Sequence, residues 1–396
     1  MIAAAAFTLP PIVRGLSRGS PGPVGTGGHG TPWPTAGRLT HFRWSSLPPS
    51  PLGPRSRPLL AWTGRELLEL GRTSTSNNDT ARSGDAAASD PATGHWRSIA
   101  HVPNTVGLSG GVTVWTGRQL FVTNGRVSSK FWNAVAGAPA ALYDPAANRW
   151  SVTDLPVRLL GADQLAAAWT GRSVVVAGVV RRRLQAASYD PATNRWRVIS
   201  PTLPAAHPPV GLAMVATSSR LLLWSLWSKT TKTSATSYAV ASGVDVLALG
   251  PAGWTDVTAN WPQHKTVDDP VCGNGTILLA PSQIWCGMCS HPGGEFPARL
   301  ADADSLALYP VPKGPLVTRY FLEPPIWLWN GRAVLAANTT GSRGDTISQL
   351  GAYDPRSGHW HLLPVPPRAP VAANPLWAGR EVLLLTAAGK LLSFHR

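Results

Sequence analysis

The sequence predicts an all-β chain folded as a seven-bladed β-propeller of four-stranded antiparallel blades. Three observations carry that reading. Two short motifs alternate along the chain. One of them recurs at the interval of a propeller blade, about 40–50 residues. A lone copy of the other, near the N-terminus, supplies the strand that the C-terminal repeat lacks.

The first motif is an apolar stretch ending in Trp-x-Gly-Arg and followed by a second apolar stretch. It stands at Trp62–Arg65, Trp115–Arg118, Trp169–Arg172, Trp329–Arg332 and Trp377–Arg380, with degenerate copies ending at Arg220 and Thr276. The copies end at positions 65, 118, 172, 220, 276, 332 and 380, so they are 53, 54, 48, 56, 56 and 48 residues apart. The flanking runs, such as Val112-Thr113-Val114-Trp115 and Gln119-Leu120-Phe121-Val122, are β-branched and aromatic. They read as strands a and b of a hairpin. The glycine between them tolerates the positive φ of a tight turn.

The second motif is Asp-Pro-x-x-x-x-Trp, at Asp90–Trp96, Asp144–Trp150, Asp190–Trp196 and Asp354–Trp360. Decayed copies lie at Gly250–Trp254 and near Tyr309-Pro310. An Asp carboxylate accepts hydrogen bonds from turn amides, Pro presets the next φ, and Gly94, Asn148, Asn194 and Gly358 suit a left-handed position. The motif therefore joins strands c and d, and its Trp can fill the space between neighbouring blades.

After Arg380 the chain offers strand b (Glu381–Thr386) and strand c (Lys390–His395) but no strand d. Trp44, with Ser45-Ser46-Leu47-Pro48 behind it, matches the tail of the second motif. An N-terminal outer strand is thus expected to complete the C-terminal blade, closing the ring and removing a sheet edge. The propeller is expected over residues 38–396, preceded by a disordered segment, 1–37, rich in Gly, Pro and Ser at 14–37.

The repeats Tyr143-Asp144-Pro145…Trp150, Tyr189-Asp190-Pro191…Trp196 and Tyr353-Asp354-Pro355…Trp360 resemble those of the kelch-repeat superfamily. Among its members the chain looks closest to bacterial kelch-like propellers with Trp-x-Gly-Arg before strand b. The resemblance covers residues 38–396. It departs from the usual pattern after strand b, where a double glycine is reduced to single residues such as Gly71, Gly125 and Gly178. It implies a fold and little about chemistry. Such propellers include a copper radical oxidase of the galactose oxidase type, a sialic-acid mutarotase and many protein-binding modules. The oxidase's set of two Tyr, two His and a Tyr–Cys crosslink has no convincing match here, and no sialidase-type Asp-box is present.

Composition narrows the classes further. The net charge is +15, from 35 basic and 20 acidic residues, and six of the basic residues are Lys. They are spread along the chain with one run, Arg181-Arg182-Arg183. A nucleic-acid partner is therefore not expected, since such binders cluster their cations; weak attraction to acidic polymers or anionic surfaces stays open. No apolar run approaches the ~20 residues of a membrane helix. The apolar stretch Ile2–Leu9 lacks the basic segment of a signal peptide and could be the remnant of an export signal. Low charge, abundant Trp and a possible loop disulfide lean towards an extracytoplasmic location. A monomer is expected.

In a propeller the b–c and d–a connections share one face, here the loop face, and the a–b and c–d turns share the other, the turn face. The turns are short and regular, and the recurring Asp90, Asp144, Asp190 and Asp354 read as structural. The loops are long and irregular, so binding is expected there. Arg181, Arg182 and Arg183 could bind a carboxylate, sulfate or phosphate; His207 and His264 lie near d–a loops. All three cysteines fall within 272–289. Cys286, Cys289 and His291 share the fifth blade's b–c loop and admit three readings: a disulfide staple, free buried thiols, or a zinc site with a nearby His. Cys272 sits near the a–b turn and is harder to recruit. The leading expectation is a non-catalytic module recognising a protein, peptide or glycan through the loop face. The alternative is an oxidase- or mutarotase-like enzyme acting on a carbohydrate or small molecule, metal-assisted at the fifth blade. No nucleophile–base pair, P-loop or dinucleotide fingerprint appears.

Overall fold

A computed structural model describes residues 35–396 except 56–57, 72–83, 107, 109–110, 124–138, 163, 218, 233–237, 261–267, 274–275, 282–297, 303–304, 306, 313, 316–325, 341–345, 369 and 373–374. The strands form seven four-stranded sheets, each a sequential antiparallel meander save the last. Blades 1 to 6 span 59–98, 112–154, 165–198, 209–256, 268–310 and 326–363. Each blade's innermost strand neighbours that of the next, and the innermost strand of blade 7 (Leu376–Ala378) neighbours that of blade 1 (Leu59–Trp62), so the ring is closed. The chain is a seven-bladed β-propeller.

Blade 7 is built from both ends of the sequence. Its strands Leu376–Ala378, Glu381–Leu385 and Leu391–His395 are completed by the N-terminal strand Arg43–Leu47. The register runs from Arg43 opposite His395 to Leu47 opposite Leu391. Trp44 faces Phe394 with ring centroids 5.0 Å apart. Ahead of that strand a helical turn, Ala36–Leu39, buries Ala36 and Leu39 against the outer strands of blade 6.

The motifs do what their chemistry suggests. Gly64, Gly117, Gly171, Gly331 and Gly379 of the a–b turns all have positive φ, from 61° to 94°. In the c–d turns, Asp90, Asp144, Asp190 and Asp354 accept from the amide two residues on at 2.9–3.0 Å. Asn148 and Asn194 take the left-handed conformation, at φ 44° and 53°. Their side-chain oxygens accept from Tyr143 and Tyr189 at 2.8 and 2.9 Å.

Each motif Trp reaches back one blade. The indole Nε1 of Trp96 donates to Pro48 O, that of Trp150 to Ala100 O, and that of Trp360 to Pro312 O, at 2.8, 2.8 and 3.0 Å. Trp254 donates to Ile199 O. Trp196 uses the Thr153 hydroxyl at 3.1 Å. Trp44 donates to Pro364 O at 2.8 Å, so the seam at blade 7 is clasped like the others. In blade 5 Leu308 takes the place of Trp, opposite Ala301 and packed against the cluster between blades 4 and 5. Seven hydrophobic clusters fill the ring, one between each pair of neighbouring blades.

Two b–c connections are tighter than the sequence suggests. The segment 225–243 is largely strand: blade 4 extends Leu221–Lys232 against Tyr238–Gly250 in unbroken register. The apolar and β-branched run Leu226-Trp227-Ser228-Lys229-Thr230-Thr231 prolongs the ladder because each residue finds a cross-strand partner. In blade 3 the connection is a two-residue hairpin, with Val180 opposite Arg183.

Candidate functional site

Two of the sequence candidates meet on the loop face, at the junction of blades 3 and 4. Strands b and c of blade 4 send Leu223, Ser225 and Trp227, and Leu247, Asp245 and Gly243, towards blade 3, by the two-residue period of a strand. Leu223 and Leu247 pack there with Val175, Ala177, Val179 and Leu184. Towards the loop face the stripe turns polar, with Ser225 opposite Asp245. Both are buried, Asp245 at 3% exposure.

His207, in the link entering blade 4, covers this polar end. Its Nδ1 lies 2.8 Å from Asp245 Oδ1, and its ring stacks on Trp227 at 4.2 Å with an interplanar angle of 5°. Gly243 makes the stack possible, since a Cβ there would come within 2.7 Å of the Trp227 ring. Asp245 Oδ2 is buried without a hydrogen-bond partner among the described residues, and so is Ser225 Oγ. Burial pushes the Asp245 carboxyl above its usual range, against the opposing pull of the hydrogen bond and charge from His207. The imidazole is thereby fixed at Nδ1, on a side chain that is 30% exposed.

The blade 3 hairpin closes over the same junction. Arg181 and Arg182 both adopt positive φ, 48° and 62°. That is the pattern of a type I′ turn, which normally calls for Asn and Gly. Two arginines there cost about 1–2 kcal/mol each in backbone strain. Such strain persists where surrounding structure imposes it, and it clusters at functional sites. Arg182 Nη2 donates to Ser228 O at 3.3 Å, and Ser228 N donates to Pro208 O at 3.3 Å. The arginine hairpin, the Trp227 strand and the His207 link are therefore tied in sequence. Arg181, Arg182 and Arg183 are all exposed.

The other candidates do not join this site. His264, Cys286, Cys289 and His291 lie outside the described residues. Cys272 sits on the inner strand Asp268–Gly273 of blade 5, opposite Ile277. Among the described residues no group of three or more His, Cys, Asp and Glu side chains comes together as a metal would need. Between blades 6 and 7 an apolar void of ≈10 Å³, lined by Trp44, Ile326, Leu335 and Phe394 among others, is a packing gap and too small for a ligand.

Sequence reasoning missed Asp245, Trp227 and a second buried group. At one position of strand b, blades 2, 3, 4, 6 and 7 carry Val122, Val176, Leu223, Ala336 and Leu384. Blade 1 has Glu69 there, fully buried. Ser50 Oγ donates to Glu69 Oε2 at 2.6 Å. Buried Arg55 stands nearby and pairs with Asp85 at 3.5 Å. Burial raises the Glu69 carboxyl, against the lowering effects of Ser50 and Arg55. Ser50 and Arg55 lie in the link from blade 7 to blade 1, so this group pins the crossing that closes the ring. The sequence signal for both carboxylates was the same: one acid inside an otherwise apolar strand, Leu67-Leu68-Glu69-Leu70 and Val244-Asp245-Val246-Leu247.

No family model matches the chain, and a comparison with curated proteins returns no match. Among solved structures, one described as "Structure of YjhT" aligns with a TM-score of 0.47 at 14% identity, covering 68% of this chain and 87% of that one. The chain is a propeller, and membership of the kelch-repeat family is not established by these comparisons.

Proposed function

We propose that the propeller is a recognition module that binds an anionic group of a protein, peptide or glycan on its loop face, at the junction of blades 3 and 4. One observation carries the reading: a His207 ring locked by Asp245 and Trp227 beside a strained, exposed arginine hairpin. Arg181–Arg183 supply the planar donors that suit carboxylate, sulfate or phosphate groups. His207 and Trp227 add a flat rim against which a sugar or peptide group can pack. The pre-set geometry lowers the ordering cost of binding. Arrays of acidic glycans and peptides, followed by calorimetry, test the reading. His207→Ala and Arg182→Gln should each weaken a captured ligand about tenfold, the value of one hydrogen bond to a charged group. A ligand whose affinity ignores both substitutions would refute it.

A second reading has its own support. A carboxylate that orients a partly exposed imidazole through Nδ1 is the arrangement of a general base. An enzyme acting on a carbohydrate or other small molecule would use it so. Turnover of a sugar that disappears in His207→Ala and falls with Asp245→Asn would favour this reading over the first.

The cysteine loop bears on both. A disulfide between Cys286 and Cys289 fits an extracytoplasmic protein, and zinc held by Cys286, Cys289 and His291 fits the metal-assisted reading. Mass before and after reduction, together with metal analysis of the purified chain, separates the two.

A further inference from the structure

The arginines that look scattered in the sequence are gathered by the repeat. Arg65, Arg118, Arg172, Arg332 and Arg380 occupy the same place in the a–b turns of five blades, and Arg220 stands one position further along the turn of blade 4. In each of the five the preceding residue is the positive-φ glycine of the turn. Residues at one position of a blade are related by rotation about the ring axis, so they stand at one height along it. The five guanidinium groups therefore form a flat annulus on the turn face, opposite the candidate site. Arg65, Arg118, Arg172 and Arg380 are exposed, the Arg65 side chain at 84%.

Few acids offset this annulus. The same turns carry two carboxylates among the described residues, Glu66 and Glu381. Glu66 is held by two bonds from Arg97, at 2.7 and 2.9 Å, and Glu381 accepts from the Ser393 hydroxyl. Arg65 approaches Asp90 at 3.5 Å in a pair exposed on the arginine side, which gives it little net stability. Further out, the c–d turns carry Asp90, Asp144, Asp190 and Asp354, whose carboxylates accept from turn amides. Each of these turns also presents an exposed basic or titratable residue just before its Trp: His95, Arg149, Arg195 and His359. The outer ring is thus mixed and the inner ring cationic.

We propose that the turn face docks flat on an anionic lipid bilayer. Coplanarity decides the partner. A linear polyanion crosses such an annulus along a chord and reaches two or three arginines at once. A fluid bilayer presents its phosphates in a plane and lets charged headgroups gather under every guanidinium. Among the described residues the exposed large apolar ones, Val152, Val157, Val198, Tyr309, Leu362 and Val365, belong to outer strands and their following links rather than to the a–b turns. Attachment is therefore electrostatic, without insertion, and it leaves the loop face pointing away from the lipid.

The test is sedimentation of the full chain with vesicles of phosphatidylcholine, alone or mixed with phosphatidylglycerol. The expected result is binding to the mixed vesicles only, released by salt. Each arginine near an anionic surface is worth about fivefold in affinity. Arg118→Gln, Arg172→Gln and Arg380→Gln together should lower it on the order of a hundredfold. A control with the same charge loss on the other face, Arg158→Gln, Lys229→Gln and Arg368→Gln, should lower it far less. Should the turn-face triple fail to fold, its three single variants should each lose about fivefold. No binding to the mixed vesicles would overturn the proposal. So would equal losses in the two triples, or tighter retention on a soluble polyanion such as single-stranded DNA at matched salt.

Discussion

Replacing Trp44 should unfasten the ring at its one non-covalent joint. The side chain makes three separable contributions. Its Nε1 hydrogen bond to Pro364 O at 2.8 Å is worth about 1 kcal/mol. Its contact with Phe394, at 5.0 Å, adds about 1 kcal/mol beyond area. Half-burial of an indole removes roughly 100 Å² from water, or about 2.5 kcal/mol. Trp44→Phe keeps the ring and loses the bond, so it should cost about 1 kcal/mol. Trp44→Ala loses all three, for a total of about 4.5 kcal/mol. Trp150→Phe, at an internal junction with the same bond to Ala100 O at 2.8 Å, should match Trp44→Phe in global stability. The two sites should differ locally. Blade 7's third strand, Leu391–His395, is covered only by the N-terminal strand on its outer edge, so opening there exposes an edge. Urea denaturation gives the global values, and hydrogen exchange read at residues 391–395 gives the local one. Unchanged exchange at 391–395 in Trp44→Ala, or a stability loss below about 1 kcal/mol, would refute the clasp argument.

Other expected outcomes concern the candidate site. Gly243→Ala should displace the Trp227 ring, which its Cβ would meet at 2.7 Å; a loss of about 1–3 kcal/mol and weaker ligand binding should appear together in thermal denaturation and calorimetry. Arg181→Asn with Arg182→Gly gives the hairpin its preferred turn residues, so stability should rise by about 2 kcal/mol while affinity falls, a trade read from the same two assays. Asp245 is held above the ordinary carboxyl range by burial, so its protonated form favours the fold. That stabilisation is complete below the ordinary pKa of about 3.9 and is lost as pH rises through the elevated value. Asp245→Asn removes this loss, and its Tm relative to the parent should climb from acid to neutral pH; a flat difference would contradict the burial argument.

The architecture was legible because it is written in short-range turn chemistry. Gly64 and its counterparts, and Asp90 and its counterparts, each solve a local backbone problem within four residues, and the solution repeats at blade intervals. Closure was legible too, since Trp44 is a motif residue without its partner strand. The site was harder to see. Arg181–Arg183 and His207 were visible as loop residues, but their convergence depends on packing between blades 3 and 4. Asp245 and Trp227 were hidden because they sit in strands, where alternation reads as core. In the strands 225–232 and 238–243 Ser, Thr and Lys dilute the apolar pattern that marks a strand, while cross-strand pairing keeps them extended. The arginine annulus is invisible as a run of charge because the ring axis gathers residues about 50 positions apart.

The shared seventh sheet has a consequence for synthesis. Ser45 and His395, which meet across the seam, lie 350 residues apart in sequence. At translation rates of about 5–20 residues per second, the first strand waits roughly 20–70 s for its partner to be made. During that interval six blades can assemble in an open arc whose two ends remain unsatisfied, and whatever shields those ends on the ribosome determines how many chains finish as rings.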